Sequence, residues 1–106
     1  MTTIKVDPDR YRVRISGHAL AGQKGEDLVC AGVSTLGFAL WNAAMDRDEY
    51  HAECKMDRDS AALEVECRPE EDAEEECAEM FRTIMHGFAL LRQGRPENIE
   101  ILIEGD

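Results

Sequence analysis

One histidine and one cysteine are the residues best placed to do chemistry in this chain. His18 follows a predicted strand, and Cys30 lies in the first turn of a helix that is predicted to begin near Asp27. A helix N-terminus and a neighbouring imidazole both favour the thiolate, which is the nucleophilic form of cysteine. We therefore expect a Cys30/His18 pair, in which the imidazole activates the sulfur as a nucleophile. The spacing alone leaves the alternative open that Cys30 is a packing cysteine and His18 a solvated loop histidine.

Two polar side chains of the helix are expected to support this cysteine. Asp27 belongs to a residue type that caps helices, because its carboxylate accepts hydrogen bonds from unpaired amides. Ser34 lies one helical turn beyond Cys30, where we expect it to support the cysteine turn. Because the predicted apolar stripe of the helix passes beside Cys30, we expect the thiol at the edge of the buried face and partly exposed.

Glycines before the helix are expected to let the histidine reach the sulfur. Gly17 precedes His18, and Gly22 and Gly25 lie in the stretch that leads to the helix. Glycine gives the backbone a freedom that other residues lack. We predict that this loop, over 19–25, is mobile when no ligand is bound.

The other cysteines and histidines suggest no further site. Cys54, Cys67 and Cys77 fall on apolar stripes and are expected to be inert packing residues. His51 and His86 fall on polar faces. There is no CxxC pair and no zinc-ligand spacing, so the sequence predicts no metal, no cofactor and no disulfide framework.

Length and composition limit the class of protein. The chain has 106 residues, of which 43% are hydrophobic and 33% charged, and its net charge is −11. This length predicts one domain over 1–106. The acidic balance argues against nucleic-acid binding and favours a basic partner. Without a long apolar run or a leader pattern, we expect a soluble cytoplasmic protein that does not enter membranes.

Hydrophobic periodicity gives the order of the elements. Alternating residues predict a hairpin over 4–15, a second hairpin over 50–67 and a last strand over 99–103. Arg58 and Asp59 are expected to form a tight turn that sets Cys54 opposite Leu63. Pro69 and the acidic residues after it predict the start of a second helix, and Gly94 its end. The predicted buried stripes of the two helices are Val29, Val33, Leu36, Leu40 and Ala43, and Cys77, Phe81, Ile84, Phe88 and Leu91.

The order ββαββαβ predicts a two-layer α+β fold, with a mixed sheet of about five strands and both helices on one face. Leu102 interrupts the polar side of the last strand. That strand is therefore expected to be covered on both sides or to lie at a subunit contact.

Two stretches carry a family resemblance. Gly17-His18-Ala19, followed by GEDLVCAGVS over 25–34, resembles the pattern GHA and GxDxVCAxxS of the ribosomal-processing cysteine protease family Prp. The resemblance implies a homodimeric bacterial endopeptidase that removes the N-terminal extension of large-subunit ribosomal protein twenty-seven. It implies His18 as general base and Cys30 as nucleophile. The substrates it implies carry apolar and aromatic residues before the cut, an alanine after it and then lysines, and we expect the loop over 19–25 to become ordered over such a peptide.

Other functions remain open at this point. A binding or assembly factor of the same fold would hold the basic ribosomal protein without cutting it. A thiol redox sensor would use Cys30, although no resolving cysteine is near it in sequence. A phosphate site in the glycine loop would use Lys24 and the helix amides, but the P-loop spacing is absent.

Overall fold

The computed structural model describes residues 1–17 and 27–104, with only the backbone described at 27 and 28. Seven main elements follow one another in this part of the chain, in the predicted order ββαββαβ. They are β1 (Thr2–Asp7), β2 (Arg12–Gly17), α1 (Asp27–Met45), β3 (Glu53–Asp57), β4 (Ala62–Glu66), α2 (Glu74–Gly94) and β5 (Ile99–Ile103). The predicted α+β fold is confirmed.

The strands form one mixed sheet in the order β3-β4-β2-β1-β5. Three of the pairings are antiparallel, and β1 and β5 are parallel. Thr2 lies opposite Gly17 on one side and opposite Ile99 on the other. The end of β2 therefore lies beside the beginnings of β1 and β5, at one end of the sheet.

The two faces of the sheet differ in chemistry because strand side chains alternate. One face carries buried residues that pack under both helices: Ile4, Val6, Val13, Ile15, Leu63 and Val65. The other face is charged. There Arg12 donates to Glu64 at 2.9 Å, and Arg14 lies 3.6 Å from the same carboxylate. Both helices thus cover one face, as predicted.

The buried stripe of α1 is rotated from the predicted one. Cys30, Val33, Leu40 and Ala44 are buried, whereas Ala43 is exposed. The reason lies at Gly37, where a Cβ would come within 2.9 Å of Ile15 Cδ1. Because glycine has no side chain, the helix approaches the sheet on this side. Val29 and Leu36 are only partly buried and pack at the margin of the core.

The second helix agrees with the predicted pattern. Cys77, Phe81 and Phe88 are buried, and Ile84 and Leu91 pack against the core. A single turn of 3₁₀ helix, Glu71–Ala73, precedes α2, so the helix begins later than Pro69 suggested. It ends at Gly94 as predicted.

The hairpin of β3 and β4 was predicted in the wrong register. Cys54 lies opposite Val65, and Met56 lies opposite Leu63. The turn is longer than two residues because Ala61 adopts a left-handed conformation, with φ of 50°. Tyr50 is buried, but it belongs to a 3₁₀ turn before β3 and not to the strand itself.

Neither helix of the described residues is both long and apolar enough to cross a membrane.

Candidate functional site

Gly17, the last residue of β2, is closely surrounded by the backbone of neighbouring segments. Gly17 donates its N–H to the carbonyl of Ala61 at 3.2 Å, and Thr2 donates to the carbonyl of Asn98 at 2.8 Å. Gly17 has φ of 112°, and a Cβ there would lie 2.4 Å from the carbonyl oxygen of Met1. Only glycine fits this position without strain. Gly17, which directly precedes His18 in sequence, is therefore a position that requires glycine.

Cys30 lies in the first turn of α1, as predicted. It is the fourth residue of the helix, where unpaired backbone amides favour a negative charge. The expected partial exposure was wrong. Cys30 is only 5% exposed and belongs to the core cluster. Its depth follows from the rotation of α1, because Cys30 lies two turns before Gly37, on the side that meets the sheet.

The supporting residues are placed only in part. Ser34 lies one turn after Cys30 and is partly buried. Asp27 is the first residue of α1, close to its predicted position. Its side chain lies outside the described residues, so its capping role stays a prediction.

The histidine and the loop glycines also lie outside the described residues. These are His18, Gly22 and Gly25. The Cys30/His18 pair, and the predicted behaviour of the loop, therefore stay predictions. The nearest described residues on either side of His18 in sequence are Gly17 and Asp27.

The remaining cysteines have the environment expected of packing residues. Cys67 and Cys77 are fully buried, lie within hydrogen-bonding reach of each other, and have thiol pKa values that burial raises. Cys54 is partly exposed, and burial raises its pKa as well. A raised pKa lowers the thiolate fraction at neutral pH, so none of these three is an activated nucleophile.

The remaining histidines lie on the surface. His51 places Nε2 3.0 Å from Glu70 Oε2, and both side chains are more than half exposed. His86 is exposed on α2. Among the described residues, no three His, Cys, Asp or Glu side chains are arranged to hold a metal ion.

A groove between α2 and β5 was not predicted from the sequence. It consists of two adjoining cavities of about 250 and 360 Å³, which share Arg82, Met85 and Ile103. The helix pattern indicated which residues of α2 face the core but not how far β5 extends beneath its side. The α2–β5 groove is the name used below for the residues of α2 and β5 that line these cavities: Ala78, Phe81, Arg82, Met85, His86, Ala89, Arg92, Ile101 and Ile103.

Several solved structures of other proteins are similar to this fold. The Staphylococcus aureus ribosomal processing protease Prp, crystallised with a covalently linked product peptide, superposes with a TM-score of 0.80 at 21% identity, over 98% of this chain and 100% of that one. The same protease with a substrate peptide gives 0.77 at 21% identity, with the same coverage. SMU.848 from Streptococcus mutans gives 0.70 at 25% identity, over 97% of this chain and 93% of that chain.

The sequence comparison identifies the family. No curated protein sequence is similar enough to count as a relative. The sequence model of the family described as "Cysteine protease Prp" matches residues 1–100, which include both motif stretches and every strand and helix up to the start of β5. Because this match spans nearly the whole chain, and the predicted fold is present, the chain belongs to the cysteine protease Prp family.

Proposed function

We propose that this chain is a cysteine endopeptidase that removes the N-terminal extension of bacterial large-subunit ribosomal protein twenty-seven. Cys30 is the nucleophile and His18 the general base. The observation that carries this proposal is the position of Cys30 in the first turn of α1, in a chain that belongs to a cysteine protease family. That position supplies backbone amides and a helix dipole, which lower the pKa of a thiol.

The proposed reaction has two halves. The Cys30 sulfur, with its proton on the His18 imidazole, attacks the carbonyl carbon of the scissile peptide bond. The imidazolium then protonates the leaving amine as the carbon–nitrogen bond breaks, which leaves a thioester on Cys30. Water, deprotonated by the imidazole, hydrolyses the thioester and releases the carboxylate product. Amides of the first turn of α1 are the candidates for stabilising the oxyanion.

The burial of Cys30 adds a requirement to this mechanism. Because Cys30 is only 5% exposed, its sulfur cannot reach the carbonyl carbon of a peptide that approaches from solvent. The groups that cover Cys30 must therefore move when a substrate binds. We expect the supporting residues to preserve the site through this movement: Gly17, Gly22 and Gly25 by setting the course of the loop, Asp27 by capping α1, and Ser34 by supporting the turn.

The charge of the chain supports a basic substrate. Its net charge is −11, and acidic proteins attract basic segments from a distance. Two solved structures of the S. aureus protease hold peptides, described as a substrate and a covalently linked product. For this chain, we propose the N-terminal extension of the basic ribosomal protein as the partner. Added salt should then slow association, because it screens the attraction.

The proposal also includes the cellular location and the oligomeric state of the protein. We place the protein in the cytoplasm, where the ribosomal protein is made, and propose that it acts as a homodimer. It needs no cofactor for the reaction above, and we propose no binding to nucleic acid or to a membrane.

A binding or assembly factor without catalysis is the second candidate. The burial of Cys30 favours this function, because a packing cysteine has no need of exposure. The two functions share the fold and the basic partner. They differ in whether the peptide bond is cut.

Incubation with a synthetic peptide that spans the extension and the cut tests the proposal, with mass spectrometry as the readout. The wild-type chain should yield two fragments. Cys30→Ala and His18→Ala should abolish or greatly slow cleavage while still binding the peptide. Cys54→Ala and His51→Ala are the matched controls, and both should cleave at the wild-type rate.

Binding of the intact peptide by the wild-type chain without any cleavage would favour the assembly factor. Cleavage that survives Cys30→Ala would exclude the proposed nucleophile.

A further inference from the structure

The first helix carries almost no charge, although the chain as a whole is highly charged. Charged residues make up 33% of the chain. Among the 19 residues of α1, however, the single charged residue is Asp27, at its start, whereas α2 carries six in 21 residues. A helix on the surface of a protein ordinarily has a charged outer side, and an exposed apolar patch marks a contact with another molecule.

An apolar stripe runs along the side of α1 that faces away from α2. Gly32 faces α2, because a Cβ on it would lie 2.8 Å from Leu91 of that helix. Leu36 faces α2 as well, since it lies 2.8 Å from a Cβ placed on Gly87. The helical repeat of 3.6 residues puts positions 34, 38, 41 and 45 together on the opposite side. These positions hold Ser34, Phe38, Trp41 and Met45.

The large side chains of this stripe are exposed to solvent. Phe38 is 38% exposed and Met45 is 56% exposed, and Trp41 is only partly buried. The rings of Phe38 and Trp41 form a tilted pair with their centroids 6.2 Å apart. Aromatic side chains offer a large apolar area for contact, so this pair is suited to binding another apolar group.

The edge strand β3 adds an apolar side chain beside the stripe. Met56 lies opposite Leu63 of β4, so the two share the face of the sheet that the helices cover. Leu63 in turn lies under α1, 3.7 Å from a Cβ placed on Gly37. Met56 is 43% exposed. Cys54, two residues earlier, is less exposed and packs against the core.

The stripe and Met56 lie on the same side of the fold. In the described part of the chain, β3 and β5 form opposite edges of the sheet, and α2 lies against β5. The side of α1 away from α2 is therefore the side of β3. We call Phe38, Trp41, Met45 and Met56 the α1–β3 surface, which lies across the fold from the α2–β5 groove.

This surface begins close to the proposed nucleophile. Ser34, where the stripe starts, lies one turn after Cys30. Met56 lies near the end of β3, and the turn after β3 reaches Gly17, whose N–H donates to the carbonyl of Ala61. From Ser34 to the end of the stripe the helix spans about 16 Å, which is the length of about five residues of extended peptide.

We propose that the α1–β3 surface binds the apolar side chains of a substrate peptide beside its scissile bond. The occupant is an extended segment with aromatic or long aliphatic side chains, because two aromatic rings and two flexible methionines bind such groups. The four side chains of the surface carry no charge with which to bind a charged segment. This inference rests on the proposed function and adds the surface that selects the peptide.

The fluorescence of Trp41 tests the inference directly, because Trp41 is the single tryptophan of the chain. The Cys30→Ala variant is titrated with the peptide of the proposed function, prepared without tryptophan, so that the peptide stays intact. We expect the emission to shift to the blue as the peptide covers the ring. A peptide with serine in place of the apolar residues beside the cut should produce no shift. Binding of the apolar peptide without any change in emission would overturn the inference.

A pair of variants provides a matched test with a kinetic readout. Phe38→Ser removes an exposed ring from the surface, and Leu90→Ser removes a side chain that is 69% exposed on α2, outside the surface. Phe38→Ser should raise the KM for the peptide about tenfold and leave kcat nearly unchanged, because it removes binding that the substrate and the transition state share. Leu90→Ser should leave both constants unchanged. Circular dichroism verifies folding.

Two further measurements keep the test decisive if Phe38→Ser does not fold. Met56→Ser changes the same surface from the strand side, and it should also raise the KM. For the peptide with serine beside the cut, Phe38→Ser and Met56→Ser should add little further loss, because the group that they would contact is already absent.

The outcomes separate this surface from the proposed activity. Wild-type KM values in both Phe38→Ser and Met56→Ser would overturn the inference and leave the protease proposal intact. A blue shift of Trp41 in a chain that never cuts the peptide would support the surface and count against the protease. If Phe38→Ser instead alters the sedimentation of the chain without peptide, a second copy occupies the surface and the inference is wrong.

Discussion

Gly32 of α1 lies directly against Leu91 of α2. A Cβ on Gly32 would fall 2.8 Å from Leu91 Cδ2 and 3.0 Å from Cδ1, so the two helices approach each other where the glycine leaves room. Cys30 precedes this contact by two residues. The position of the proposed nucleophile is therefore tied to the distance between α1 and α2.

We expect Gly32→Val to destabilise the fold and Gly32→Ala to have little effect. A single methyl can displace the end of the flexible, half-exposed Leu91 side chain, and alanine improves helix propensity by about 1 kcal/mol. The branched valine has no such room, and overpacking costs about 2 kcal/mol. Urea unfolding measures both. Gly94→Val is the control, because nothing lies within 4 Å of a Cβ at that position.

Gly94→Val also serves as the control for a substitution at Gly17. Gly17→Ala forces a side chain into a left-handed conformation and places its Cβ 2.4 Å from the carbonyl oxygen of Met1. Backbone strain of this type costs about 1–3 kcal/mol, and backbone next to a strand gives way less easily than the end of a flexible side chain. We expect a corresponding loss of stability and slower peptide cleavage. Wild-type values in both measurements would show that the course set by Gly17 is unimportant.

The four cysteines should differ in their reaction with iodoacetamide at neutral pH. Cys67 and Cys77 are buried and have raised pKa values, so they should react only after unfolding. Cys54 is half-buried with a raised pKa and should react slowly. If Cys30 is activated, it should react first despite its burial, and His18→Ala should slow it. Peptide mapping by mass spectrometry gives the order, and labelling of Cys54 before Cys30 would count against activation.

Stability should fall in alkaline solution. Burial raises the pKa of Cys67 and of Cys77 in the folded chain, so both thiols stay protonated there after they ionise in the unfolded chain. The unfolded state then binds fewer protons, and the free energy of unfolding decreases as the pH rises above about 8.5. The slope approaches about 1.4 kcal/mol per pH unit for each thiol. Urea unfolding between neutral and alkaline pH measures it, and Cys67→Ala should reduce the slope.

The order of elements could be predicted because local patterns determine it. Alternation identified the strands, and Pro69, Gly94 and the acidic first turn identified the limits of α2 within a few residues. The parallel pairing of Thr2 with Ile99 was beyond such patterns, since it joins segments that are distant in sequence. A mixed sheet was nevertheless expected from the order alone.

The depth of Cys30 could not be predicted, for a reason that lies in Gly37. Hydrophobic periodicity weights large residues, and it therefore placed Leu36 and Ala43 towards the sheet. The helix in fact approaches the sheet at Gly37, which turns Cys30 and Ala44 inwards. The length of the turn in the second hairpin was also predicted wrongly. Ala61 adopts a left-handed conformation there, and an alanine in a sequence does not indicate such a conformation.

The pairing of β1 with β5 has a consequence for the way in which the chain folds. The hairpin of β1 and β2 closes a short loop, but β1 meets β5 only when nearly the whole described chain has been brought together. Long closures of this kind slow folding. We expect the backbone amides of β5 to gain protection from hydrogen exchange last during refolding. Loss of the first few residues would then leave β5 with no neighbour on which to form.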